Sequence, residues 1–155
     1  MELRQKVDKF LGAALSFIMA VMVLNVLWQV FTRFVIGTPS SFTDELARYL
    51  MIWVGVLGAA YVSGKKMHVS IDLIPSKLKK ENQIKLKMCI NILIILFCFG
   101  ALIVGGIRLV YITYSLEQYS AALQIPLAIV YLVIPISGAL IIFYKISDII
   151  NKQLL

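Results

Sequence analysis

Asp44, Glu45 and Arg48 fall within two helical turns at the head of a charge-free run from Tyr49 to Gly64. On a helix either carboxylate can reach the Arg48 guanidinium, four residues from Asp44 and three from Glu45. Two chemistries suit this spacing. One is a helix start whose acids match the dipole and carry an exposed ion pair of little energetic weight. The other is a contact for a second protein, in which the guanidinium grips a carboxylate with both of its arms. Ser41, three residues before Asp44, adds a capping-box pattern.

The remaining polar groups support little catalysis. Asn25 and Gln29 are four apart and share a helix face; they either hydrogen-bond to another helix or line a polar path. Asn91 reads in the same way. His68 is the one histidine, which excludes a bis-histidine haem site within the chain and suits an anchoring role. Cys89 and Cys98 are nine apart, with neither CxxC nor metal-ligand spacing. There is no Gly-rich phosphate loop, no triad and no cluster of metal ligands. The expectation is a chain that is no enzyme and holds no cofactor.

The elements that must position these groups are membrane spans. The chain has 155 residues and is 61% hydrophobic, with a mean hydropathy of +0.91. A soluble domain of ordinary composition is nearer half apolar. Charge-free runs cover Phe10 to Thr32, Tyr49 to Gly64, Met88 to Ile107 and Gln118 to Tyr144. Crossing about 30 Å of hydrocarbon takes roughly 20 residues of helix, and lipid offers the backbone no other partner. The second run reaches that length when Leu46 and Ala47 join it. The expected fold is an all-α integral membrane protein of four transmembrane helices. It forms one membrane domain, 1–155, with spans near 10–32, 46–64, 88–109 and 125–146. The first run is too long for a signal-peptide core and ends in aromatic residues, so it reads as a retained span.

The net charge is +7, and its placement orients the spans. The N-terminal segment, the loop 65–87 and the C-terminus together hold twelve of the fifteen Lys and Arg residues; Arg33, Arg48 and Arg108 are the others. Basic residues accumulate on the cytoplasmic side, so both termini and the middle loop are expected inside. Trp28, Phe31, Phe34, Tyr49 and Trp53, with Tyr111, Tyr114 and Tyr119, then form an outer aromatic belt. The middle loop mixes lysines with Val69, Ile71, Leu73, Ile74 and Leu78. It reads as a short amphipathic segment on the inner surface, where Lys65, Lys66, His68 and Asp72 are candidates for contact with lipid headgroups. A loop tethered between two spans argues against a nucleic-acid partner.

Finer signals concern packing. Gly55-x-x-x-Ala59 and Ala101-x-x-x-Gly105 are spaced for close helix approach. Pro126 suits the first turn of the last span. Pro135 should kink that span and free a carbonyl near Tyr131, which Ser137 or a neighbouring helix could satisfy.

Three function classes compete. A small autonomous four-span exporter relies on a carboxylate within the membrane, which these runs lack. A four-span disulfide-forming quinone reductase needs outward-facing cysteine pairs, also lacking. An accessory subunit of a larger membrane complex needs neither.

The residues carry a resemblance. Arg33-Phe34, the stretch Asp44-Glu45-Leu46-Ala47-Arg48, Trp53, Gly58-Ala59-Ala60, and His68 with Asp72 resemble the small membrane subunit of tripartite ATP-independent periplasmic (TRAP) transporters, the DctQ-like family. "SAALQIPLAIVYLVIPISG", with Pro126, Tyr131 and Pro135, looks like the family's final span. One departure is Asp44, where the family often has Glu; the charge is kept. The resemblance covers essentially the whole chain, most specifically 33–75. It implies a scaffold subunit of the bacterial inner membrane that braces a large multi-span subunit and helps receive a periplasmic substrate-binding protein. Sodium coupling and the substrate site, for organic acids such as sialic acid or C4-dicarboxylates, would lie in the large subunit. It makes Arg33, Asp44, Glu45, Arg48 and Trp53 candidates for partner contact.

Overall fold

The computed structural model describes residues 2–38, 40–65 and 80–150, apart from the side chains of 80 and 81. Four helices are long and apolar enough to cross a membrane: α1 (Glu2–Ile36), α2 (Ser41–Gly64), α3 (Asn82–Ser115) and α4 (Leu127–Ile150). Among the described residues there is no strand, only an isolated bridge between Tyr119 and Pro126. The all-α, four-span class is as expected. At 1.5 Å per residue, α2 and α4 measure about 36 Å, close to a bilayer's hydrocarbon thickness. With 35 and 34 residues, α1 and α3 are about 15 Å longer and must tilt or project beyond the hydrocarbon.

The helices pack as a row in the order α1, α2, α4, α3, with α1 and α3 at its two edges. The row has two broad faces, and one core runs through its middle. Leu11 and Leu15 of α1, Leu57 and Ala60 of α2, Cys98 of α3, and Val133, Ile141 and Tyr144 of α4 form it. Outside this line large apolar side chains stand free, such as Phe10 at 75% and Phe17 at 70% exposure. In water that would be costly; against lipid tails or a partner helix it is not.

Small residues govern the close approaches, at positions other than those expected. A Cβ on Gly138 would lie 2.7 Å from Leu102 Cβ, and one on Gly106 would lie 2.9 Å from Pro135 Cδ, so these two glycines set the α3–α4 seam. Gly55, Ala59, Ala101 and Gly105 instead face outward from the row. A Cβ at Gly55 would meet nothing within 4 Å. The expected seams therefore do not pack against the described residues of this chain.

Other local expectations are corrected. At the head of α2 the cap residue Ser40 makes no side-chain cap bond. Thr43 Oγ1 donates back to Ser40 O at 2.9 Å, and Asp44 turns away to other partners, so no Ser41–Asp44 capping box forms. Pro126 sits just ahead of α4, as its N-cap, rather than in its first turn. The last helix does break near Pro135, between Leu127–Tyr131 and Val133–Ile150. Ser137 Oγ, however, donates to Ile134 O at 3.0 Å and leaves Tyr131 alone. Two stretches, Thr32–Ile36 and Cys98–Val104, widen to π-helical turns.

Candidate functional site

Charged groups gather at the two ends of the row. The turn end carries the α1–α2 turn and the α3–α4 loop; the terminal end carries the start of α1, the end of α2 and the end of α4.

At the turn end, Arg48 Nη2 bonds Asp44 Oδ2 at 2.8 Å, with the side chains 71% and 50% exposed. An ion pair so open to solvent contributes about 1 kcal/mol at most. Gln29 Nε2 lies 3.3 Å from Asp44 Oδ1, and buried Asn25 Nδ2 donates to Thr43 O at 2.7 Å. Asn25 and Gln29, one turn apart on α1, thus hold the first turn of α2 against α1.

Glu45 is the next residue, turned by about 100° around the helix. Its carboxylate enters the α3–α4 loop and accepts from the buried Ser120 hydroxyl and from three successive backbone amides. Those amides are Ala121 at 3.1 Å, Ala122 at 2.9 Å and Leu123 at 3.1 Å. Consecutive N–H groups converging in a turn make a concave donor site suited to an anion. The loop is closed beneath it by Ser120 N to Ile125 O at 2.9 Å and Leu127 N to Gln118 O at 2.9 Å. Two α2 turns further on, Trp53 Nε1 donates to Val130 O at 3.2 Å, just ahead of the break in α4. Glu45 and Trp53, eight residues apart, pin the same side of α2 to the α4 arm.

The structure therefore separates the doorstep charges. Asp44 and Arg48, with Gln29, lie on the outer, α1-facing side; Glu45 and Trp53 face α4 and its loop. Arg33 stands apart and exposed in the widened last turn of α1, with no hydrogen bond or ion pair among the described residues.

At the terminal end a second network joins three helices. Arg4 Nη1 donates to Asp148 Oδ1 at 2.6 Å, and Arg4 Nη2 donates to Gly64 O at 2.6 Å. The Tyr144 hydroxyl donates to Asp8 Oδ1 at 2.6 Å, and Lys65 Nζ lies 3.8 Å from Asp8 Oδ2. Tyr144 is wholly buried and Asp148 nearly so. Gly64 permits this arrangement, since a Cβ there would stand 2.7 Å from the Tyr144 ring. Lys66, His68 and Asp72, with the amphipathic segment expected around them, lie outside the described residues.

Sequence reasoning missed this second network and missed Ser120. One signal was present: Arg4 with Asp8, and Tyr144 with Asp148, are i, i+4 polar pairs at the ends of apolar helices. Ser120 offered none, because its partner is 75 residues away. Among the described residues no group of three His, Cys, Asp or Glu side chains is placed to hold a metal. The chemistry of both clusters is pairing of charges and capping of backbone donors.

Comparison with known proteins covers most of the chain. The family described as the DctQ component of tripartite ATP-independent periplasmic transporters matches residues 22–154. A Haemophilus influenzae protein whose name provisionally assigns it as a TRAP transporter small permease is 27% identical over 145 residues, covering 94% of this chain and 88% of its own. The sialic acid TRAP transporter small permease protein SiaQ of Vibrio cholerae is 27% identical over 139 residues, covering 86% of this chain and 76% of its own. The sialic acid TRAP transporter permease protein SiaT of Haemophilus influenzae is 32% identical over 96 residues, which are 59% of this chain and 15% of that much longer protein.

Proposed function

The chain belongs to the DctQ family of tripartite ATP-independent periplasmic transporters, and we propose that, as the small permease subunit of such a transporter, it braces a large multi-span subunit without itself touching substrate. The small permease is a multi-pass membrane protein and not an enzyme. The observation that carries the bracing role is the open row. Its charges are confined to the two ends, its middle is apolar, and its broad faces are bare of partners among the described residues. An intramembrane charge is the usual mark of a transport pathway, and the runs between the ends have none.

Substrate and sodium binding then belong to the large subunit, and delivery to a periplasmic binding protein. Relatives named for sialic acid and for isethionate support an organic anion as the cargo. Similarity to short stretches of two longer permeases, SiaT and the isethionate TRAP transporter permease protein DctMQ of Oleidesulfovibrio alaskensis, supports a large membrane partner. Membership of the family supports the bacterial inner membrane, and the distribution of basic residues supports a cytoplasmic terminal end and a periplasmic turn end.

Reconstitution tests the reading. Alone in liposomes, the chain is expected to move no organic acid under a sodium gradient; with the large subunit and the binding protein, uptake should appear. Sodium-driven uptake by this chain alone would overturn the reading.

A further inference from the structure

At the terminal end α1 and α2 part to leave an open groove of about 500 Å³, lined by Gln5, Asp8, Lys9, Gly12, Tyr61 and Lys65 among others. We propose that this groove seats the phosphate of an anionic glycerophospholipid, with Lys9 and Lys65 as its cationic contacts. The proposal rests on the membrane placement argued above, which puts this end at the cytoplasmic headgroup layer.

Charge decides the class of ligand. Asp8 is the groove's carboxylate, and both its oxygens are engaged, Oδ1 by the Tyr144 hydroxyl and Oδ2 by Lys65 at 3.8 Å. Lys9 is exposed and makes no hydrogen bond or ion pair among the described residues. Among the described residues, the Lys65 ammonium is held only by that long contact and by the face of the Tyr61 ring, 5.5 Å away. The groove therefore presents positive charge in excess of negative. A phosphodiester monoanion balances it; a zwitterionic headgroup would bring an ammonium with no carboxylate left among the described residues to receive it. Basic recesses between spans near the cytoplasmic surface suit such headgroups.

Shape agrees with a lipid rather than free phosphate. Gly12 and Ala13 make a shallow floor beside the Tyr61 ring. One turn beyond Ala13 on α1 stands Phe17, 70% exposed, which offers an acyl chain an apolar bed leading from the headgroup into the bilayer.

Native mass spectrometry of the detergent-purified full chain, titrated with phosphatidylglycerol, phosphatidylcholine or inorganic phosphate, tests this. The expected result is one phosphatidylglycerol retained in preference to phosphatidylcholine, and no competition from inorganic phosphate. Lys9→Gln and Lys65→Gln should each weaken retention about fivefold, and together about thirtyfold. Lys6→Gln, outside the groove, should not. Gly12→Leu, which fills the floor without altering charge, should also lose the lipid while keeping its melting temperature within a few degrees of the parent. Equal retention by Lys9→Gln, Lys65→Gln and the parent overturns the proposal, as does equal binding of phosphatidylcholine or displacement by inorganic phosphate. The assay uses the isolated chain, so failure of assembly with a large subunit would leave its result unchanged.

Discussion

The Glu45 carboxylate accepts the Ser120 hydroxyl across 75 residues of chain and, with it, the amides of Ala121, Ala122 and Leu123. One side chain on α2 thereby supplies the turn that the α3–α4 loop needs in order to close. Glu45→Ala strands one hydroxyl and three N–H donors, whereas Glu45→Gln keeps one acceptor oxygen. The expected order of melting temperature is parent, Gln, Ala. Hydrogen exchange should quicken at 121–123 in the alanine variant and stay slow elsewhere. Unchanged exchange at those amides would show that the loop closes without Glu45.

Arg48 should behave differently from its neighbour. Its bond to Asp44 is exposed, so Arg48→Ala is expected to cost no more than about 1 kcal/mol in the isolated chain. If the pair also meets the large subunit, Arg48→Glu should reduce co-purification and uptake beyond that small loss. Normal assembly and uptake by Arg48→Glu would confine the pair to the helix surface.

Arg4 and Asp148 form the most enclosed ion pair among the described residues, with side chains 16% and 6% exposed. Removing one partner leaves the other charge nearly buried, so Asp148→Ala or Arg4→Ala should destabilise by about 3–5 kcal/mol. The double variant Arg4→Leu/Asp148→Leu should lose much less than the sum of the singles, because no charge is stranded. Additive losses, measured by thermal unfolding in detergent, would contradict coupling between the two.

Gly64 and Gly55 make a matched comparison on one helix. Alanine gains about 1 kcal/mol of helix propensity at the interior Gly55 and less at Gly64, the last residue of α2. At Gly64 the new Cβ would lie 2.7 Å from the Tyr144 ring, which is wholly buried and held by Asp8. Overpacking of about 1–3 kcal/mol should therefore make Gly64→Ala destabilising or at best neutral. Gly55→Ala meets nothing and should stabilise the isolated chain. If Gly64→Ala stabilises as much as Gly55→Ala, the close approach of α2 and α4 is wrong.

Topology is testable by reporter fusions. Fusions after Gly37 and Leu116 should report the periplasm, and one after Lys80 the cytoplasm. A periplasmic signal at Lys80 would reverse the proposed orientation, and with it the leaflet assigned to the α1–α2 groove.

The four helices and the family were legible in the chain itself. Apolar runs of bilayer length admit only helix in lipid, and the acidic-acidic-x-Ala-Arg stretch with its flanking residues is a local pattern. Which of the doorstep charges makes the long-range contact was not legible: a helix start displays both acids alike, and whether Asp44 or Glu45 meets the distant loop depends on where α4 lies. Hydropathy is silent on that, since every span is similarly apolar and lipid gives no hydrophobic drive to order them. The row α1, α2, α4, α3 was decided by close approach at Gly64, Gly106 and Gly138 and by polar contacts spanning 75, 136 and 144 residues. Equally spaced small residues at Gly55 and Ala59 were left on the surface, because spacing says that helices can approach and only the packed neighbours say on which face they do.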